Sequence, residues 1–275
     1  MKTAISILTF AIMLLTMAGP LSAAQVDDAH AAKAQAAIDK AIQYLRDNQN
    51  DNGSWTPLPG PAVTGLVLSG MLRSPGIDRT DPDIEKAIQY ILRFQKDDGG
   101  IYDTFLRNYN TSLCVMALSR VGDDPEIQKV IEKTHDFYRA RQWDENKKDA
   151  RGNNLTREHP YFGGYGYGDS ITGRPDGSNT FMMLSALYDS GFDCTDPLYQ
   201  NAIVYVSRLQ GVAQNDLYAD AIEQDGGFTY ETPIKSRPNI DRPQTRVDNR
   251  AAARDEDEYV DGKRPTYGSM TYAGY

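Results

Sequence analysis

Cysteine is nearly absent from this chain. Its 275 residues hold two, Cys114 and Cys194. They form no Cys-x-x-Cys pair, so a zinc ribbon or a dithiol redox motif is excluded. In an oxidising compartment the two could pair, and a buried free thiol is an equal alternative. Histidine is scarce as well. His30, His135 and His159 are the three present, and nothing in the sequence brings them together as metal ligation requires. No metal and no cofactor is therefore expected. Positive charge is in deficit, with 29 Lys and Arg against 38 Asp and Glu and a formal net charge of −9. That balance fits poorly with nucleic acid or an anionic membrane surface as a partner.

The one long apolar run lies at the N-terminus. Lys2 precedes Ala4 to Ala18, followed by Gly19-Pro20 and Ser22-Ala23-Ala24. This order is that of a secretory signal peptide cut after Ala24. The run is shorter than the ~20 apolar residues of a spanning helix, and no cysteine follows it for lipid attachment. Residues 1–24 are thus expected to be removed. Residues 25–275 are expected to be exported to the periplasm or the extracellular space as one large domain without a membrane span.

What the chain does have is a repeat. Ile38, Ala41, Ile42, Gln43, Tyr44, Gln49 and Gly53 recur in register as Ile84, Ala87, Ile88, Gln89, Tyr90, Gln95 and Gly99. Part of the block returns as Pro197, Ala202, Ile203, Tyr205 and Gln210. A period of roughly 20–50 residues marks a repeat architecture. Each copy reads as two helices. The outer one starts at Asp81-Pro82, Asp124-Pro125 or Asp196-Pro197, where Asp caps free amides and Pro suits the first turn. The second carries Thr64, Thr111, Thr180 or Thr271 near its start and is apolar on most sides, which predicts burial and an inner position. Gly76, Gly122 and Gly191 are expected to end the inner helices in the left-handed region. The fourth inner helix starts at Ser269-Met270-Thr271 and runs only to Tyr275, so the repeat set is expected to be incomplete. Two polar stretches, 143–160 and 233–265, interrupt the pattern as insertions. The second contains Asp255-Glu256-Asp257-Glu258 and has too few large apolar residues to order itself.

Helical hairpins carrying Gln-x-x-x-Gly-[Gly/Ser]-[aromatic/aliphatic] resemble the prenyltransferase and squalene-oxidase repeat. The instances are Gln49 to Trp55 and Gln95 to Ile101, with the Gln224-Asp225-Gly226-Gly227-Phe228 turn as a third. The resemblance implies an all-α fold, an α/α toroid similar to the C-terminal domain of squalene cyclases, here incomplete at the C-terminus. It also implies that Gln49, Gln95, Gln210, Trp55 and Phe228 tie one outer helix to the next.

The fold serves several chemistries, so the residues must decide. In class II terpene cyclases an Asp-x-Asp-Asp-Thr motif protonates an alkene, which demands a strong acid. The matching stretch here is Asp176-Gly177-Ser178-Asn179-Thr180. Ser178 replaces the central acid, which argues against that mechanism. Asp255-x-Asp257-Glu258 is similar in composition but lies in the insertion. The zinc ligands of protein prenyltransferases and the Cys-Gly-Glu-Gln run of thioester domains have no counterpart around Cys114 or Cys194. Tyr161-Phe-Gly-Gly-Tyr165-Gly-Tyr167-Gly168 offers glycines for close approach and aromatic faces for an isoprenoid or a sugar, or else forms the third copy's Gly-Gly-aromatic turn. Arg174 could neutralise a uronate in a lyase. The candidate ligand-binding residues are therefore Tyr165, Tyr167, Arg174, Asp176, Ser178 and Asn179. The expected function is a toroid that binds an isoprenoid, a glycan or a protein partner without cyclase chemistry. The alternative is an enzyme acting on an isoprenoid or a polysaccharide at the same barrel mouth.

Overall fold

The computed structural model describes residues 27–56, 60–149, 152–168, 173–233 and 263–274. They form eight helices: α1 (Asp28–Asp47), α2 (Ala62–Met71), α3 (Pro82–Leu92), α4 (Arg107–Leu118), α5 (Pro125–Arg139), α6 (Gly177–Asp189), α7 (Pro197–Leu209) and α8 (Gly268–Gly274). Among the described residues the only β pairing is a set of isolated bridges, so these residues are all-α. None of these helices is long and apolar enough to cross a membrane. The predicted signal peptide, residues 234–262 of the second insertion and the Asp255–Glu258 run lie outside the described residues.

The chain divides into two compact units, Met1–Tyr44 and Leu45–Tyr275. In the first, α1 is rich in alanine, a strong helix former, and buries none of its side chains. The repeat echo in Ile38 and Tyr44 thus marks no core there, since the two are 42% and 66% exposed.

In the second unit α2 packs on α4, α4 on α6 and α6 on α8, while α3, α5 and α7 pack on α2, α4 and α6 respectively. This alternation matches the two helix classes read from the sequence, and the threonine-bearing set is termed inner and the Asp-Pro set outer. The inner helices run parallel with their N-termini together. The Ala62 amide donates to Asn110 Oδ1 at the start of α4, and Asn108 Nδ2 donates to the Asn179 carbonyl at the start of α6. Where α2 crosses α4 the approach is close, and a Cβ on Gly65 would crowd the Leu113 backbone at 3.1 Å.

The outer helices begin as predicted, with Pro in the first turn after Asp81, Asp124 and Asp196. Asp124 accepts from the Glu126 and Ile127 amides, and Asp196 from Leu198. Asp81 differs. Its carboxylate turns to Arg46 (3.3 Å) and the Asp78 amide, and caps nothing in its own helix. Gly76, Gly122 and Gly191 all have positive φ. Only Gly191 directly follows its helix cap, at Ser190. The other two lie further on, beyond the turns that close after Leu72 and Ser119.

The turns after α1, α3 and α5 are each locked to the next outer helix by a glycine. Gly53, Gly99 and Gly163 have φ of 91°, 85° and 83°. A Cβ on each would overlap the carbonyl oxygen of Lys86 in α3, Lys133 in α5 and Asn201 in α7. Gln49 Nε2 bridges the Gly53 and Asp83 carbonyls at 3.2 and 2.8 Å. The third copy uses Gln142, whose Nε2 bridges the Gly163 and Leu198 carbonyls at 3.0 and 2.8 Å. The insertion thus sits between this glutamine and its glycine. Gln210 reaches Gly226 at 3.3 Å, whereas Gln95 Nε2 is buried with no partner among the described residues.

The inner threonines complete the device. Thr111, Thr180 and Thr271 accept from the amides of Ile101, Tyr165 and Phe228 at 3.0, 3.0 and 3.1 Å. Thr64 Oγ1 is buried without a partner among the described residues. Valine matches threonine in shape but cannot accept. Thr180→Val should therefore cost about 1–3 kcal/mol by stranding the Tyr165 amide. Thr64→Val should cost less than about 0.5 kcal/mol, because it strands nothing. Urea denaturation of the two variants checks the contrast, and equal losses would refute it.

Candidate functional site

The start of α6 gathers most of the predicted residues. Asp176 is its N-cap, 5% exposed, and both carboxylate oxygens are occupied. The Asn179 amide and Asn179 Nδ2 each donate to it at 2.8 Å. Asn179 is fully buried, and its Oδ1 and backbone carbonyl accept from Asn108 Nδ2 at 3.0 and 2.9 Å. Asn108 Oδ1 in turn accepts from Ser112 Oγ, which bonds Tyr138. A buried polar chain thus runs from Asp176 through α4 to α5. Every link is partnered, as burial demands.

Above this chain lies a cluster of phenols. Tyr109 and Tyr167 form an offset stack with centroids 5.9 Å apart and planes 19° apart. Tyr109 Oη bonds Ser178 Oγ. Tyr167 Oη lies 3.3 Å from Tyr230 Oη. All three tyrosines are half-buried. The stack is held from behind by the Asn108 amide, which donates to the Tyr167 carbonyl at 3.0 Å, and by the Gly177 amide, which donates to the Tyr230 carbonyl at 2.6 Å. Just before Tyr109, Leu106 has a φ of 50°, the one positive value among the described non-glycine residues. Such a backbone costs of order 1–3 kcal/mol and persists only where the surroundings impose it. Here Asn110 Nδ2 fixes it by donating to the Phe105 and Leu106 carbonyls, both at 3.0 Å.

The charges beside the phenols are paired. Arg174 meets Glu231 at 3.3 Å, and Arg264 meets the same carboxylate at 3.7 Å while donating to the Glu231 carbonyl at 3.1 Å. Arg264 belongs to the stretch read as insertion. In the structure it is pinned by bonds between its backbone and Ala221 and Glu223. Burial pushes the Asp176 carboxyl up to about 7, against the pull of Asn179's two hydrogen bonds. Burial also raises the phenols of Tyr109, Tyr167 and Tyr230 above the usual tyrosine range, with Asp176 adding to each. The three are neutral hydroxyls at neutral pH.

Tyr167, Arg174, Asp176, Ser178 and Asn179 are therefore brought together, and Tyr165 is not. Its side chain is fully buried, edge-on to Tyr138, with its amide bound by Thr180. Tyr165 occupies the place of Ile101 and Phe228 in the repeat turn and belongs to the core. Sequence reasoning missed Tyr109, Asn108, Tyr230 and Glu231. A signal for Tyr109 existed, since it stands two residues before Thr111 as Ser178 stands two before Thr180.

His135 packs edge-on to Phe192, His159 stacks on Trp143, and Cys114 and Cys194 are both free, one buried and one exposed. Among the described residues no three His, Cys, Asp or Glu side chains are grouped as metal ligands. No protein-family model matches the chain, and no curated protein matches it either.

Proposed function

We propose that this chain is an exported α/α-toroid protein of the prenyltransferase and squalene-oxidase repeat type, and that it binds a neutral glycan at the N-terminal end of its inner helices without acting as a class II cyclase. The parallel, side-by-side inner helices, three of them backed by an outer helix, are the arrangement such a toroid requires. The observation that carries the ligand class is the Tyr109–Tyr167 stack, ringed by the neutral hydroxyls of Ser178 and Tyr230. A sugar ring presents an apolar face to an aromatic plane and hydroxyls to its rim, which is what this group offers. A uronate is disfavoured because the Arg174 and Arg264 guanidinium groups are already paired with Glu231. Cyclase chemistry is disfavoured because Asp176 is a weakened acid with both oxygens engaged, the reverse of what alkene protonation needs.

An enzymatic reading has one observation in its favour. A carboxyl raised to about 7 amid phenols is the kind of group that moves protons near neutrality. Incubation with uronate polymers and solvent extraction followed by mass spectrometry separate the readings. Binding of neutral oligosaccharides with no polymer depletion and no extracted isoprenoid is the expected result. Tyr109→Ala and Tyr167→Ala should each weaken that binding about tenfold, the loss of one stacking surface. An isoprenoid in the extract, or depletion of a uronate polymer, would displace this reading.

A further inference from the structure

The insertion in the third repeat is polar, yet the fold anchors it at high cost. Arg208 of α7 has a side chain 1% exposed. It donates to the carbonyls of Arg157 and His159 (3.1 Å to the latter) and pairs with Asp216 at 3.3 Å. Removing a guanidinium from water costs several kcal/mol, and a loop that merely joined two elements would need no such anchor. Leu155, 3% exposed, adds an apolar pin. What the anchor holds still is an aromatic group. Trp143 and His159 stack with centroids 5.9 Å apart and planes 19° apart, and Tyr161 meets Trp143 edge-on at 5.0 Å. Trp143 Nε1 donates to the Gly173 carbonyl at 3.2 Å, which fixes the indole. The Tyr161 amide donates to His159 Nδ1, so the neutral imidazole carries its proton on Nε2. All three rings are part-exposed. Arg174 links this group to the first one, since it lies against the Tyr161 phenol and pairs with Glu231, the neighbour of Tyr230.

We propose that Trp143, His159 and Tyr161 form a second carbohydrate subsite, linked through Arg174 and Glu231 to the Tyr109–Tyr167 stack, so that one neutral glycan chain occupies both. The inference rests on the glycan reading above and adds the insertion to it as a binding arm. Two linked subsites raise affinity with chain length, because binding at one concentrates the ligand at the other.

Calorimetric titration of the full chain with neutral cello-, manno- and malto-oligosaccharides of two and six sugars tests it. In the series that binds, the six-sugar ligand should bind at least about tenfold tighter than the disaccharide. His159→Ala and Tyr161→Ala should abolish that advantage and leave disaccharide affinity unchanged. In the unaltered protein, the six-sugar ligand should shift tryptophan emission and the disaccharide should not, a readout that survives any failure of the variants to fold. Equal affinities for the two lengths, an advantage that persists in folded variants, or no emission shift would each overturn the subsite while leaving the first site standing. No binding in any series would overturn the glycan reading itself.

Discussion

Gly163→Ala should destabilise the protein by about 4 kcal/mol, among the largest effects expected of a single methyl group. Two causes act together. The φ of 83° is unfavourable for alanine, and the added Cβ would overlap the Asn201 carbonyl of α7. Left-handed strain contributes about 1–3 kcal/mol and forced repacking a similar amount. Gly76 is the control, because its φ of 79° is equally left-handed but an added methyl group would meet nothing within 4 Å. Gly76→Ala should therefore cost only about 1 kcal/mol. Urea unfolding of both variants measures the difference directly. Equal losses would mean that the turn is not pressed onto α7, and the repeat device described above would fall with it.

The second large effect is a pH dependence centred on Asp176. Its carboxyl is pushed by burial to about 7, from an ordinary 3.8. The folded state then holds a proton that the unfolded chain releases. A group raised in this way contributes stability that is full below 3.8 and is lost as pH rises through 7. By linkage the loss between about pH 5 and about pH 8 is about 2–3 kcal/mol. His135 and His159 act in the opposite sense, since burial lowers both and their contribution grows as pH rises toward the ordinary imidazole range. The informative quantity is therefore the difference between the protein and Asp176→Asn, which keeps the shape and removes the charge. The variant should lose about 1 kcal/mol at about pH 5, where Asn179 Nδ2 is left without its acceptor. It should gain on the unaltered protein steadily up to about pH 8. Parallel stability curves would show that Asp176 is ionised throughout and that its burial is compensated by other means.

Much of this architecture is legible in the sequence because it follows from short, local chemistry. Asp-Pro starts, inner threonines and Gln-to-Gly turns each write a residue type at a fixed spacing, and the structure places Asp124, Asp196, Thr111, Thr180 and Gln49 as read, while Gln210 reaches only the Gly226 carbonyl of its own turn. Gln142 escapes such a reading because an insertion separates it from Gly163, so the spacing that identifies the other glutamines is broken there. Tyr165 is ambiguous for a related reason. An aromatic in a glycine-rich stretch suits a ligand surface or a buried turn equally, and only the bond from its amide to Thr180 decides for the turn. The site partners lie beyond local reading. Tyr109 and Ser178, Tyr167 and Tyr230, and Arg174 and Glu231 meet across repeats, and no spacing along the chain encodes such meetings. The anchoring of the first insertion by Arg208 is of the same kind, since a charged residue in an outer helix reads as solvent-facing until the loop that covers it is seen.

If the Tyr109–Tyr167 stack is a binding surface for a neutral sugar, it does more than pack. Titration of the protein and of Tyr109→Ala with the oligosaccharide panel, beside thermal unfolding of both, tests it most directly. Saturable binding that weakens about tenfold in the variant is expected, with a modest fall in unfolding temperature from the loss of a half-buried ring and its bond to Ser178. Binding unchanged by the substitution, or a variant that only melts earlier with no ligand bound by either form, would contradict it.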